Sequence, residues 1–87
     1  MVRVRVSESL EQVSDIRGVV EVEGNTVGEC LDSLAGLSPG VDKWLFREKD
    51  KFGVFIFVNG KQITPADLTS PVTGGDEFYI ARVVAGG

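Results

Sequence analysis

Residues 54–58 read Val-Phe-Ile-Phe-Val and run straight into Asn59-Gly60. An unbroken run of β-branched and aromatic residues predicts a strand. Asn-Gly is the pair that best accepts positive φ at both centres of a tight hairpin turn. Lys61-Gln62-Ile63 is then a short return strand. A chain with such a hairpin in its middle must build a sheet, and a sheet must bury one face under another layer.

The rest of the chain supplies both. Val2, Val4 and Val6 alternate with Arg3 and Arg5, the period of a half-buried strand. A polar stretch from Ser7 to Arg17 ends at Gly18, and Val20 and Val22 alternate with Glu21 and Glu23 in a second strand. In a hairpin of these two, Arg3 and Arg5 face Glu21 and Glu23 across the wet side. Thr26 with Glu29 has capping-box spacing. Val27, Cys30, Leu31 and Leu34 then fall on one face of a helix, with Gly36 as its stop and Pro39-Gly40 as a loop. Trp44-Leu45-Phe46 is a short apolar cluster tucked against the core, and Arg47 to Lys51 a charged surface loop. Gly53 admits the chain into the apolar strand. Thr64 to Leu68 holds a single helical or 3₁₀ turn, and Gly74-Gly75-Asp76 marks a turn. Glu77 to Val84 is the last strand, with Phe78 and Ile80 on one face and Tyr79 and Ala81 on the other. One helix covering one face of a sheet of four to five strands is an α+β architecture.

At 87 residues the chain is one domain. We expect residues 1–84 to form it, with 85–87 a flexible tail. With 13 acidic against 9 basic residues, net charge −4, it is poorly suited to nucleic acid or anionic membrane surfaces, and better suited to a basic partner surface. No segment reads as a signal peptide or a membrane span, so a cytoplasmic protein is expected. There is no histidine and only one cysteine. That removes histidine-based triads and metal sites and leaves no internal disulfide.

The strand–strand–helix–strand–short strand–strand order, the Asn59-Gly60 hairpin, the Gly74-Gly75-Asp76-Glu77 turn and the final Val84-Ala85-Gly86-Gly87 together resemble one family. It is the MoaD/ThiS family of ubiquitin-like sulfur carriers, with the β-grasp fold. The resemblance covers essentially the whole chain. The ending looks most like that of the small subunit of molybdopterin synthase, although this chain reads Ala81-Arg82-Val83 where that subunit often carries prolines.

The resemblance implies a central last strand parallel to the first, and a sulfur-carrying C-terminus at Gly86 and Gly87. An ATP-dependent adenylating enzyme, of the ubiquitin-activating type, would convert the Gly87 carboxylate to an acyl-adenylate. Sulfur would displace AMP to leave a thiocarboxylate, for delivery to a sulfur-accepting enzyme such as the molybdopterin synthase large subunit. The carrier would bind no cofactor or metal and have no catalytic residues of its own. Glycine suits the task because, lacking Cβ, it enters narrow channels. Val84 to Gly87, extended, reach roughly 13–14 Å. The same chemistry could serve thiamin or cysteine synthesis. Other readings are a ubiquitin-like modifier joined to lysines, or a binding module whose tail is idle.

Phe55 and Phe57 point opposite to Ile56 and Val58. With Tyr79, Ala81 and Val83 they would form an apolar docking patch leading into Val84 and Ala85. Equally, the Trp44–Phe46 segment could fold over it; periodicity does not decide. Cys30, on the apolar helix face with no histidine to activate it, reads as buried and structural. Glu48, Asp50, Asp76 and Glu77 read as solvated or turn carboxylates. Gly74-Gly75 reads as a turn, since no helix follows to make a phosphate loop.

Overall fold

The computed structural model describes residues 1–12, 14–48 and 51–82. The elements run β1 (Val2–Val6), α1 (Glu8–Glu11), β2 (Val19–Val22), α2 (Val27–Leu37), α3 (Pro39–Leu45), β3 (Phe46–Glu48), β4 (Lys51–Phe52), β5 (Val54–Val58), β6 (Lys61–Gln62) and β7 (Glu77–Arg82), with a 3₁₀ turn at Pro65–Asp67. Five strands make one sheet in the order β2-β1-β7-β5-β6, and β3 and β4 form a separate two-stranded ribbon. β7 runs parallel to β1 and antiparallel to β5. The expected β-grasp arrangement is therefore present, with the last strand in the middle.

The alternation seen in the sequence sets which face is dry. Val2, Val4 and Val6 are buried and Arg3 and Arg5 exposed. Val54 and Ile56 on β5, and Phe78 and Ile80 on β7, join the same core. α2 lays Val27, Cys30, Leu31 and Leu34 onto it, all of them buried. The start of α2 is fixed by Thr26, whose Oγ1 accepts from the Glu29 amide at 3.2 Å. The reciprocal bond is displaced by one residue: Glu29 Oε1 accepts from the amide of Asn25 at 2.8 Å. A full capping box instead closes the 3₁₀ turn, between Thr64 and Asp67.

Several expectations need correction. α2 continues through Gly36 to Leu37, and Pro39-Gly40 opens α3 rather than a loop. Proline is tolerated at the first helical position, where its missing N–H would be unpaired anyway. The hydroxyl of fully buried Ser38 accepts from the Val41 amide at 3.3 Å and so caps this helix. The Arg47–Lys51 run is not wholly loop either: Arg47 and Glu48 lie in β3 and Lys51 in β4, while Asp50 lies outside the described residues.

The polar stretch from Ser7 to Arg17 contains α1, and Leu10 and Ile16 reach the core from it. The segment is tied down by Arg17, whose guanidinium donates to the carbonyls of Glu11, Ser14 and Ile16 at 2.6, 2.9 and 3.1 Å. The helical layer is thus not α2 alone: α1 adds Leu10, and α3 adds Val41 and Leu45. Finally, β2 begins at Val19, which places Val19 opposite Arg5 and leaves only Arg3 opposite Glu21. Glu23 falls beyond the strand.

Candidate functional site: the open face of the sheet and the end of its central strand

The face of the sheet away from the core carries the candidate site. Strand register assembles it in rows. Arg5 pairs with Val19 on one side and with Tyr79 on the other. Tyr79 pairs with Phe57, and Phe57 with Gln62. One row, Val19–Arg5–Tyr79–Phe57–Gln62, therefore crosses all five strands. Beside it, towards the C-terminal end of β7, Ala81 pairs with Phe55. On the other side, Arg3 lies between Glu21 and Glu77. Two arginines and two glutamates share this face, so it is close to neutral, and the acidic surplus of the chain lies elsewhere.

The aromatic residues of these rows stay open to solvent. Phe55 is 42% exposed and Tyr79 39%, while Phe57 and Ala81 are half-buried. The Phe57 and Tyr79 rings stand 6.2 Å apart at 43°, within the range of favourable aromatic pairing. The structure brings together Phe55, Phe57, Tyr79 and Ala81 as the alternation predicted. Of the 44–46 segment, Leu45 is fully buried in the core, and Phe55 and Tyr79 remain accessible. Val83, Val84, Ala85, Gly86 and Gly87 lie outside the described residues.

Two members of the patch were missed, Val19 and Gln62. Val19 is 43% exposed. Starting the second strand one residue earlier would have found it, because Val19 then shares the parity of Glu21.

β7 is held along both edges and at its start. Near its C-terminal end, the Ser7 amide donates to the Ile80 carbonyl at 2.9 Å, and Arg82 pairs with Val54. At its start, the Asn59 amide donates to the Glu77 carbonyl at 2.8 Å. The Asn59 side chain completes a clamp: its Nδ2 donates to Asp76 Oδ1 at 2.9 Å, and its Oδ1 accepts from the Glu77 amide at 3.0 Å. Asp76 Oδ2 also accepts from the Thr73 amide at 2.9 Å. These bonds favour the ionised form. The Asn59 side chain and then the Thr73 amide hold the Asp76 carboxyl below the usual carboxylate range. Gly74-Gly75 is the turn that this clamp closes.

Cys30 is fully buried, and burial, followed by the nearby Glu29 carboxylate, pushes its thiol up. It is a core side chain. Among the described residues, no group of His, Cys, Asp or Glu is placed to hold a metal ion. No described helix is long and apolar enough to cross a membrane.

The sequence matches no protein-family model and no curated protein. Solved structures are similar over its full length. A chain of the BexX/CysO complex of Amycolatopsis orientalis superposes with a TM-score of 0.80 at 27% identity, covering 100% of both chains. SAMP1 from Haloferax volcanii superposes with a TM-score of 0.75 at 27% identity, covering 99% of this chain and 98% of that one. These structural neighbours are MoaD/ThiS-like proteins.

A likeness of fold alone extends the neighbours of this chain to the Helicobacter pylori complex of subunits 1 and 2 of molybdopterin-converting factor. There the TM-score is 0.67 at 22% identity, over 99% of this chain and 97% of that one. The structural neighbours are thus small ubiquitin-like carrier and modifier proteins, and two of them were solved in complexes with a partner protein.

Proposed function

We propose that this protein is a sulfur carrier whose Gly87 carboxylate is the working group, and that it performs no chemistry alone. The observation that carries the reading is the position of β7. The strand that leads to Gly86-Gly87 is the central one, bonded to β1 and β5. It runs beside the exposed Phe55 and Tyr79 rings. A partner seated on those rings is beside the end of β7 at Arg82, the last described residue before Gly87 in the sequence.

The chemistry needs a partner at each step. A carboxylate is a poor electrophile. An ATP-dependent adenylating enzyme, of the ubiquitin-activating type, transfers AMP to the Gly87 carboxylate and releases pyrophosphate. Persulfide or sulfide sulfur then displaces AMP and leaves a terminal thiocarboxylate. Its sulfur passes to an accepting enzyme. The Val84-Ala85-Gly86-Gly87 ending supports the large subunit of molybdopterin synthase as acceptor, and molybdopterin formation in the cytoplasm is the destination in this reading. Phe55, Phe57, Tyr79 and Ala81, continued by Val83, Val84 and Ala85, form the docking surface.

A second reading has its own support. The Haloferax volcanii neighbour is named a small archaeal modifier protein, and the same acyl-adenylate at Gly87 could be captured by a lysine amine instead of sulfur.

The test is the intact mass of the protein from its own host, then again after incubation with ATP, its adenylating enzyme and a sulfur source. A gain equal to replacing one oxygen by sulfur, lost on deleting Gly87, is the result expected. No gain with an active partner enzyme overturns the carrier reading, and isopeptide-linked adducts at Gly87 would establish the modifier.

A further inference from the structure

Among the described non-glycine residues Asn59 alone has a positive φ, at +52°, and it is followed by Gly60 at +86°. A glycine after asparagine leaves the next backbone nitrogen unshielded. A Cβ built on Gly60 meets nothing within 4 Å, and both residues are exposed. Sterically, this is the most permissive setting for attack of a backbone nitrogen on a side-chain amide. The side chain is nevertheless fixed. Its Nδ2 is bonded to Asp76 Oδ1 and its Oδ1 to the Glu77 amide, at 2.9 and 3.0 Å.

We propose that Asn59-Gly60 is a deamidation site, held closed by Asp76 and the Glu77 amide, whose conversion unlatches the start of β7. In the reaction the Gly60 nitrogen loses its proton to solvent base and bonds to Asn59 Cγ. The Cγ–Nδ2 bond breaks, and the nitrogen takes up a proton and leaves as ammonia. Water then opens the cyclic imide at either carbonyl, giving aspartate or isoaspartate at position 59. No oxidant or reductant is involved. The carboxamide reaches the Gly60 nitrogen only by releasing both of its hydrogen bonds, one of them to a carboxylate, and charge-assisted bonds are the stronger kind.

The product cannot restore the clamp. Aspartate at 59 sets a carboxylate oxygen where Nδ2 was, against Asp76 Oδ1, so an attractive contact becomes a repulsive one. Isoaspartate adds a backbone carbon within the hairpin turn and shifts its register. Either product weakens the join between the β5–β6 hairpin and β7. The site is independent of the sulfur-carrier reading, and so is its test.

The experiment follows modification at position 59 by peptide mapping during incubation at one fixed pH and temperature. It compares folded wild type, wild type in denaturant, Asp76→Ala and Asp76→Asn. Folded wild type should convert slowest. Asp76→Ala should convert on the order of tenfold faster, the factor expected for losing one bond to a charged group. Asp76→Asn, which keeps an oxygen acceptor, should fall between. Equal rates in folded wild type and Asp76→Ala overturn the proposal. If Asp76→Ala does not fold, Asn59→Asp is compared with wild type by thermal unfolding, because aspartate tolerates the positive φ at 59 as asparagine does. The aspartate variant should melt lower at neutral pH, and equal or higher stability overturns the proposal.

Discussion

Gly24 lies against Cys30 so closely that a Cβ on Gly24 would stand 2.7 Å from the Cys30 amide nitrogen and 2.9 Å from its Sγ. The chain leaving β2 thus passes hard over the first turn of α2, and only glycine fits. Gly24→Ala must push the backbone of a capped helix away from the sheet. Overpacking of this kind costs about 1–3 kcal/mol, and in a domain of this size each kcal/mol lowers Tm by roughly 4–8 °C. Thermal unfolding checks it, with Gly36→Ala as control, since a Cβ there meets nothing.

Burial at the same contact makes the Cys30 thiol inert. It is fully buried and its ionisation is disfavoured, so the reactive thiolate is scarce. A thiol reagent should label the native protein only at the rate of unfolding, and label it at once in denaturant. Rapid labelling of the folded protein would contradict the burial described.

The proposed docking surface is checked by separating binding from folding. Phe55 is exposed and belongs to no core contact, so Phe55→Asp should leave Tm within about 1 kcal/mol equivalent of wild type. An aromatic anchor at the centre of an interface is worth 2 kcal/mol or more, roughly thirtyfold in affinity. Sulfur loading by the adenylating enzyme at limiting carrier should fall by that factor. An unchanged rate would place the interface elsewhere.

Asp76 gives the fold an acid limb. Its carboxyl is held below the usual carboxylate range. A group depressed on folding contributes stability that is present above its unfolded value and lost as pH falls through the folded one. Stability should therefore drop on acidification below about pH 4, and less steeply in Asp76→Asn. Urea unfolding at a series of pH values measures both slopes.

Ser38 ties the segment after α1 to α3 with its hydroxyl. The Oγ accepts from the amides of Asp15 and Val41 at 3.4 and 3.3 Å in a fully buried position. Ser38→Ala removes a helix cap and the bond to the Asp15 amide, a loss of about 1–2 kcal/mol. Chemical denaturation reads it directly.

Much of this fold is legible where local chemistry and tertiary need agree. The alternation of Val2 to Val6 and of Glu77 to Ala81 gave the buried face and hence the open one. The Asn59-Gly60 pair gave the hairpin, and Thr26 with Val27, Cys30, Leu31 and Leu34 gave α2. What was missed lay where local signals were weak or double in meaning. α1 has four residues, too few to show a helical period, and Leu10 is its one buried side chain. Pro39-Gly40 signals a loop in most contexts, yet a proline can also open a helix. Only the buried hydroxyl of Ser38 reveals which applies. The tail presents the opposite case: Gly86-Gly87 is the plainest functional signal in the sequence and lies outside the described residues.

The central place of β7 also decides how the protein bears a load. Its six residues are bonded to β1 on one edge and β5 on the other, both lying along its own axis. A partner that drags on the chain beyond Arg82 pulls along that axis, so the bonds of two ladders are sheared together and none can be peeled first. The chain beyond Arg82 is therefore anchored in a strand held by two ladders at once. A machine could extract the last residues forcefully without unravelling the domain behind them.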